Sequence, residues 1–453
     1  MSLLTRAPSG AAAGNEFRDG WPVVLACFGV ATFAWGFGFY GQSVFLAELH
    51  ATRGWPTSLI ASATTLYYLM SALLLARVHR VLETVGPRLT LAAGVAILAA
   101  GAIGISRVQA PWQLFLCSLV MAAGWATTTT TAIALTLARW FDLRRGLALS
   151  LALTGASAGG FIVAPLLVRL VQLLGLEQAV LLLALGGLAI LLPLVLAGIG
   201  RPAPSARPPP ARSPPARSPL ARPPSAPLPP AALPSAPTGD AAILESRTAP
   251  ASQAAALRSR HVWSVALPFA LALAAQVGFI VHQVAFLLPR LGSDGAGNAI
   301  AATAIAAAIG RLALAPLIDR LDQRIAAAGS FASQAAGLFA MLLLPDEAAV
   351  LYAGSVVFGL SVGNVITLPA LIIQREFAPH AYGIVVGFSS MVSQATLAFG
   401  PAVLGLARDA TGSYRAALLV CIALQLAAAV LVLRRPRGAA PRLAASRVVA
   451  PGG

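Results

Sequence analysis

The chain has 453 residues, 58% of them hydrophobic and only 10% charged, with a mean hydropathy of +0.81. That composition excludes an ordinary soluble globular domain and marks a polytopic membrane protein. The formal net charge of +16 would point to nucleic acid in a soluble chain. Here the basic residues fall mainly in short connections, a linker and the tail, where they act as orientation signals and contacts to anionic lipid.

Residues 1–20 are polar and mixed in charge, lacking the basic start, apolar core and cleavage site of a signal peptide. They are expected to form a tail, with the first membrane helix acting as an uncleaved signal. Apolar segments long enough to span a bilayer follow at 22–47, 57–79, 89–106, 111–138, 146–170 and 177–199. After a break come 262–289, 296–318, 325–345, 347–374, 380–407 and 414–433. The expected fold is an all-α membrane protein of twelve transmembrane helices in two six-helix halves, 21–199 and 261–434, with tails at 1–20 and 435–453. The break at 200–260 contains RPAPSARPPPARSPPARSPLARPPSAPLPP, too rich in proline for a helix and without an apolar face to bury. It reads as a spacer, with a proline-rich recognition segment as the other reading.

Arginine sets the orientation. Arg77, Arg80, Arg88, Arg139, Arg144, Arg145, Arg320, Arg324 and Arg375 lie in the even-numbered connections, and the linker and tail add more. The odd-numbered connections carry few, such as Arg53, Arg107 and Arg290. Both termini and the linker are therefore expected in the cytoplasm of a multi-pass inner-membrane protein. Every basic residue is arginine, which does not release its proton at accessible pH, so proton coupling would need another group. Cys27, Cys117 and Cys421 each fall inside an apolar segment and read as core residues; their spacing suggests neither a metal site nor a disulfide frame. No cofactor is expected.

The halves repeat weakly. HRVLETVGPR at 79–88 matches APLIDRLDQR at 315–324, and RWFDLRRG at 139–146 matches REFAPHAYG at 375–383. Duplicated halves are a transporter signature, with the substrate site near midplane at their interface. On these residues the chain resembles the major facilitator superfamily, whose acidic and basic signature follows its second and eighth helices. Here His79, Glu83 and Thr84 depart from that signature in the first copy, and Ala315 and Asp322 in the second. Gly54-Trp55, Gly86-Pro87-Arg88, Arg139-Trp140-Phe141, Arg144-Arg145-Gly146 and Arg311 are similar to the monocarboxylate transporter and oxalate/formate antiporter branch. The resemblance implies that the first, fourth, seventh and tenth helices surround a central path. That branch has an acidic residue one turn before the helix-eight arginine and a lysine in helix one; here Ala307 occupies the first position and lysine is absent.

Arg311 stands inside an Ala-rich apolar segment. With Asp319 at the membrane surface, it would lie roughly 12 Å deeper by helical rise, where a charge costs about 2.5–3.5 kcal/mol on insertion scales. Glu48, Glu83, Asp142, Asp319, Glu376 and Asp409 all fall near expected helix ends. An unpaired guanidinium there suits a bound carboxylate; the other reading is that Arg311 snorkels into the cytoplasmic charge cluster. His282 and Gln283 could line the path, His282 as a proton carrier or as a bond between helices. Tyr40, Tyr67, Asn364 and Gln394 are neutral candidates for contact or interhelical bonding. The hydroxyls of Thr127–Thr131 can bond back to the preceding turn. Gly155, Gly159 and Gly160, and likewise Gly383 and Gly387, are expected to give helices five and eleven close-packing faces. Glu83, Arg88, Asp319, Arg320 and Arg324 are expected to form a cytoplasmic gate between the halves.

The expected function is secondary transport, not catalysis, of a small organic anion, a monocarboxylate or dicarboxylate, by alternating access. The coupled species would be protons or a counter-anion. Membrane lipids are the remaining partners, nucleic acid is not one, and a monomer is the expected functional unit. An exporter of drugs or other hydrophobic compounds, or a non-transporting sensor, would share the architecture.

Overall fold

The computed structural model describes residues 10–141, 144–200, 258–314, 321–378 and 381–435. Twelve helices are present among them. α1 runs from Gly10 to Arg53, carrying a π-turn at Gly36–Tyr40. α2 (Thr57–Thr84), α3 (Pro87–Ser106), α4 (Pro111–Leu137), α5 (Arg145–Leu174) and α6 (Leu176–Gly198) complete the first half. The run Arg260–Leu314 holds two helices, α7 (260–291) and α8 (293–314), broken only at Gly292, where φ is 68°. Glycine alone takes that conformation without strain, so the turn between α7 and α8 needs no loop. α9 (Gln323–Leu343), α10 (Ala348–Glu376), α11 (Tyr382–Thr411) and α12 (Tyr414–Leu433) follow.

One expectation shifts. α1 begins at Gly10, inside the stretch expected to be a tail. The segment expected to continue to 318 is described only to Leu314, and almost all of the 200–260 linker and of the 435–453 tail lies outside the described residues.

Polarity is turned outward-in, as a bilayer requires. Leu173, Ile190 and Leu312 are each more than two-thirds exposed, whereas Gln276, Gln334 and Gln425 are fully buried. Those three glutamines bond in a chain across α7, α9 and α12, Gln425 to Gln334 at 2.5 Å and Gln334 to Gln276 at 2.8 Å. In the absence of water, polar side chains bond helix to helix instead. The threonine run does what hydroxyls do in a helix. Thr127, Thr128 and Thr129 all donate to carbonyls of the preceding turn, and the helix breaks at Thr129, whose ψ is 177°.

Small residues let backbones touch. On α5, a Cβ at Gly155 would lie 2.2 Å from the Phe28 carbonyl oxygen, and one at Gly159 would lie 2.6 Å from the Gly36 nitrogen. The π-turns of α1 and α5 (Gly159–Val163) therefore pack against each other. On α11 the expectation is corrected. A Cβ at Gly383 or Gly387 would meet nothing within 4 Å, and both residues face outward, whereas a Cβ at Gly400 would lie 2.1 Å from the Ala274 carbonyl oxygen of α7.

Gly400→Ala should wedge α7 from α11 and lower thermal stability by about 1–3 kcal/mol, whereas Gly387→Ala should be neutral or slightly stabilising. Thermal unfolding of the purified variants in detergent measures both.

Candidate functional site

Arg311 and Tyr40 belong to opposite halves and lie within electrostatic range of each other. Ala304 of α8 meets the first half directly: a Cβ on Gly160 of α5 would lie 2.5 Å from the Ala304 Cβ and 2.6 Å from the Tyr40 ring. Arg311 lies seven residues further along α8, two turns on and on the same face. Side chains on a helix lean toward its N-terminus, and the guanidinium accordingly lies back along α8, beside Gly363 of α10 and near the Ala307 carbonyl.

Gly359 and Gly363, one turn apart on α10, shape the other wall. A Cβ at Gly363 would come within 2.8 Å of Arg311 Nε and 2.9 Å of the Ala307 carbonyl oxygen, and one at Gly359 within 2.5 Å of the Thr303 carbonyl oxygen. Gly310 in turn sits against the Leu360 carbonyl. The Asn364 amide bonds the Leu360 and Gly310 carbonyls, at 3.2 and 3.4 Å, tying α10 to α8 beside Arg311. The Arg311 Nε is buried without a hydrogen-bond partner, and no carboxylate among the described residues pairs with the guanidinium. A buried donor of this kind is costly unless a ligand supplies the acceptor.

The other candidates separate. Tyr67 donates to the Gly38 carbonyl at 2.9 Å, inside the π-turn that ends on Tyr40; it holds that turn rather than facing Arg311. His282 has both ring nitrogens engaged within the second half, Nε2 with the Pro401 carbonyl at 3.0 Å and Nδ1 with the Tyr414 hydroxyl at 3.2 Å. A carbonyl only accepts, so Nε2 carries the proton and Nδ1 accepts from Tyr414. Gln283 donates to Thr303 at 2.9 Å, leaving its buried Oε1 unpartnered. Gln394 is half-buried on α11 and has no hydrogen bond among the described residues.

The residues expected to form one gate are dispersed. Arg324 is buried and bound within its own half, to Glu376 at 2.6 and 2.7 Å, to Ser264 and to the Val432 carbonyl. Glu83 is exposed and lies 3.4 Å from His79 of its own helix, and Arg88 stands against Gly200 after α6. Asp319 and Arg320 lie outside the described residues. Asp409 and the glycines Gly160 and Gly363 were not singled out from sequence as site residues, although the spacing of Gly359 and Gly363 is a packing signal.

A dozen helices, long and apolar enough to cross a membrane and arranged in two halves of six, have the architecture of a membrane transporter. The sequence profile of the Major Facilitator Superfamily matches residues 28–401 and 290–450, and the chain belongs to that superfamily. It is 28% identical over 352 residues to monocarboxylate transporter 11 of Mus musculus, a match covering 70% of this chain and 65% of the relative. The human protein of that name is 29% identical, with 70% and 62% covered; in both cases the match spans less than two-thirds of the relative's length. Among solved structures, a point mutant of the nucleoside transporter NupG superposes with a TM-score of 0.68 at 13% identity, covering 90% of this chain and 98% of that one. A second NupG structure gives 0.63, at 13% identity and 91% and 98% coverage. These likenesses show the fold.

Replacing His282 by Ala orphans a buried carbonyl and hydroxyl and should destabilise by about 1–3 kcal/mol. Arg311→Gln removes an enclosed charge that has no carboxylate partner among the described residues and should leave stability unchanged or higher. Thermal unfolding of the two variants side by side checks this opposition of sign.

Proposed function

We propose that this transporter moves a small organic anion, a monocarboxylate or dicarboxylate, by alternating access, with Arg311 as the anion contact and Tyr40 as its partner from the other half. One observation carries the reading: a guanidinium at the junction of the halves has a buried donor and no carboxylate among the described residues to neutralise it. Its planar fork matches a carboxylate in two parallel hydrogen bonds. Ala307, one turn earlier, contributes only its backbone beside the guanidinium, so the charge is left for the cargo. The 28–29% identical relatives, named as monocarboxylate transporters, support the same class.

Anchored in α8 and α1, the two contacts belong to different halves, so an anion held between them pulls the halves together. Binding energy of that kind is what carries a loaded transporter through its change of access. The arginine bias supports an orientation with both termini and the linker in the cytoplasm of an inner membrane. An exporter of hydrophobic compounds would have no use for an unpaired buried charge, and a sensor would bind without flux.

The test is uptake or exchange of a carboxylate panel in proteoliposomes by wild type, Arg311→Ala and Arg311→Gln. Loss of anion transport by more than tenfold in both variants is expected. Unchanged anion flux in both would overturn the assignment, and binding without flux in the wild type would favour the sensor.

A further inference from the structure

We infer that Asp409 is a latch that closes the end of the transporter opposite the chain termini, by capping a helix of the other half. α2 opens with Pro56 at its N-cap, a residue whose side chain has no oxygen to offer the first backbone N–H groups. Those donors are taken instead by α11. Asp409 Oδ2 accepts from the Ser58 N–H at 2.7 Å, and Oδ1 accepts from the Thr57 N–H at 3.3 Å and the Thr57 hydroxyl at 2.7 Å. A carboxylate at a helix N-terminus also meets the positive end of the helix dipole.

The surroundings hold that carboxylate in place. Arg408 donates to Asp409 Oδ1 at 3.1 Å and reaches His50 Nε2 of α1 at 3.1 Å. His50 Nδ1 lies 2.7 Å from the Trp55 carbonyl, which fixes its proton on Nδ1 and leaves Nε2 to accept from Arg408. Gly405, one turn before Asp409, lets the helices touch: a Cβ there would lie 2.8 Å from the Ser58 Cα. Hydrogen bonds that cross between the halves thus gather at one point, with His50, Thr57 and Ser58 on one side and Gly405, Arg408 and Asp409 on the other.

Opening this end separates α2 from α11 and leaves Thr57 and Ser58 uncapped, since Pro56 has no substitute to give. The latch therefore weights the resting equilibrium toward closure here by about the worth of an N-cap, roughly tenfold. The inference rests on the alternating-access reading but needs neither the substrate nor Arg311.

The experiment places a cysteine at Ala61, buried on α2 one turn beyond Thr57 and Ser58, by Ala61→Cys in a Cys117→Ser background; Cys27 and Cys421 are buried. The rate at which a water-soluble maleimide alkylates it in the full-length, reconstituted protein reports the open population of this end. Asp409→Ala should raise that rate about tenfold, and Asp409→Asn by less, because an amide keeps one acceptor. An unchanged rate in Asp409→Ala would overturn the latch. Where Asp409→Ala is not recovered folded, Asp409→Asn decides alone, an unchanged rate again overturning it. Because no anion is present, this result is independent of the flux of the Arg311 variants: a faster rate with normal anion flux in both Arg311→Ala and Arg311→Gln would keep the latch and remove the substrate assignment.

Discussion

Backbone against backbone is the contact on which this structure depends. In a bilayer the lipid tails are as apolar as the helices, so apolar area alone does not drive helices together, and what remains is van der Waals contact and interhelical hydrogen bonds. Gly155 and Gly159 bring α5 onto α1, Gly359 and Gly310 bring α10 onto α8, and Gly400 brings α11 onto α7. Each contact is short enough to exclude even a methyl group. Those close crossings set the relative depth of neighbouring helices, and so the heights at which Tyr40 and Arg311 stand.

The same crossings explain why a neutral frame can hold a charge. The Arg311 guanidinium lies where α10 has no side chain at Gly363, near the Ala307 backbone carbonyl, with no carboxylate among the described residues to neutralise it. Elsewhere the molecule treats its charges differently. Arg324 is more deeply enclosed, but it is met by Glu376 and by oxygens from α7 and α12. Of these two arginines of one half, one is saturated by a structural ion pair and the other has a buried donor with no partner among the described residues.

Much of this architecture was legible in the sequence because long apolar windows are a strong, local signal. Arg311 could be read as well, since helical rise placed it deep and every carboxylate fell near a helix end. The partners of His282 could not: Pro401 and Tyr414 are more than a hundred residues away, and a histidine in an apolar helix looks the same whether it bonds a neighbour or a cargo. Asp409 was invisible for the same reason, being read as one more charge at a helix end while its acceptor role depends on Thr57 and Ser58 of the other half. The misread face of α11 is different. Gly387 and Gly400 are thirteen residues apart, roughly 220° around a helix, so one face could not hold both, and only packing tells which pair is covered. The π-turns leave no local mark beyond glycine.

Each π-turn is one residue more than an α-helix of the same length requires. In α1 that extra residue lies between the part of the helix that packs on α5 and the part, 41–53, that meets the 260–314 run of the second half, with Tyr67 bonded to its Gly38 carbonyl. Deleting a single residue from 36–40 would let that turn relax to ordinary α geometry while the helix beyond keeps its phase, and the widened turn that Tyr67 holds would be lost. Residue identity is held here as firmly as shape: a Cβ at Gly36 would lie 2.6 Å from the Val163 side chain and one at Gly38 2.3 Å from the Trp125 ring, so neither position has room for a side chain.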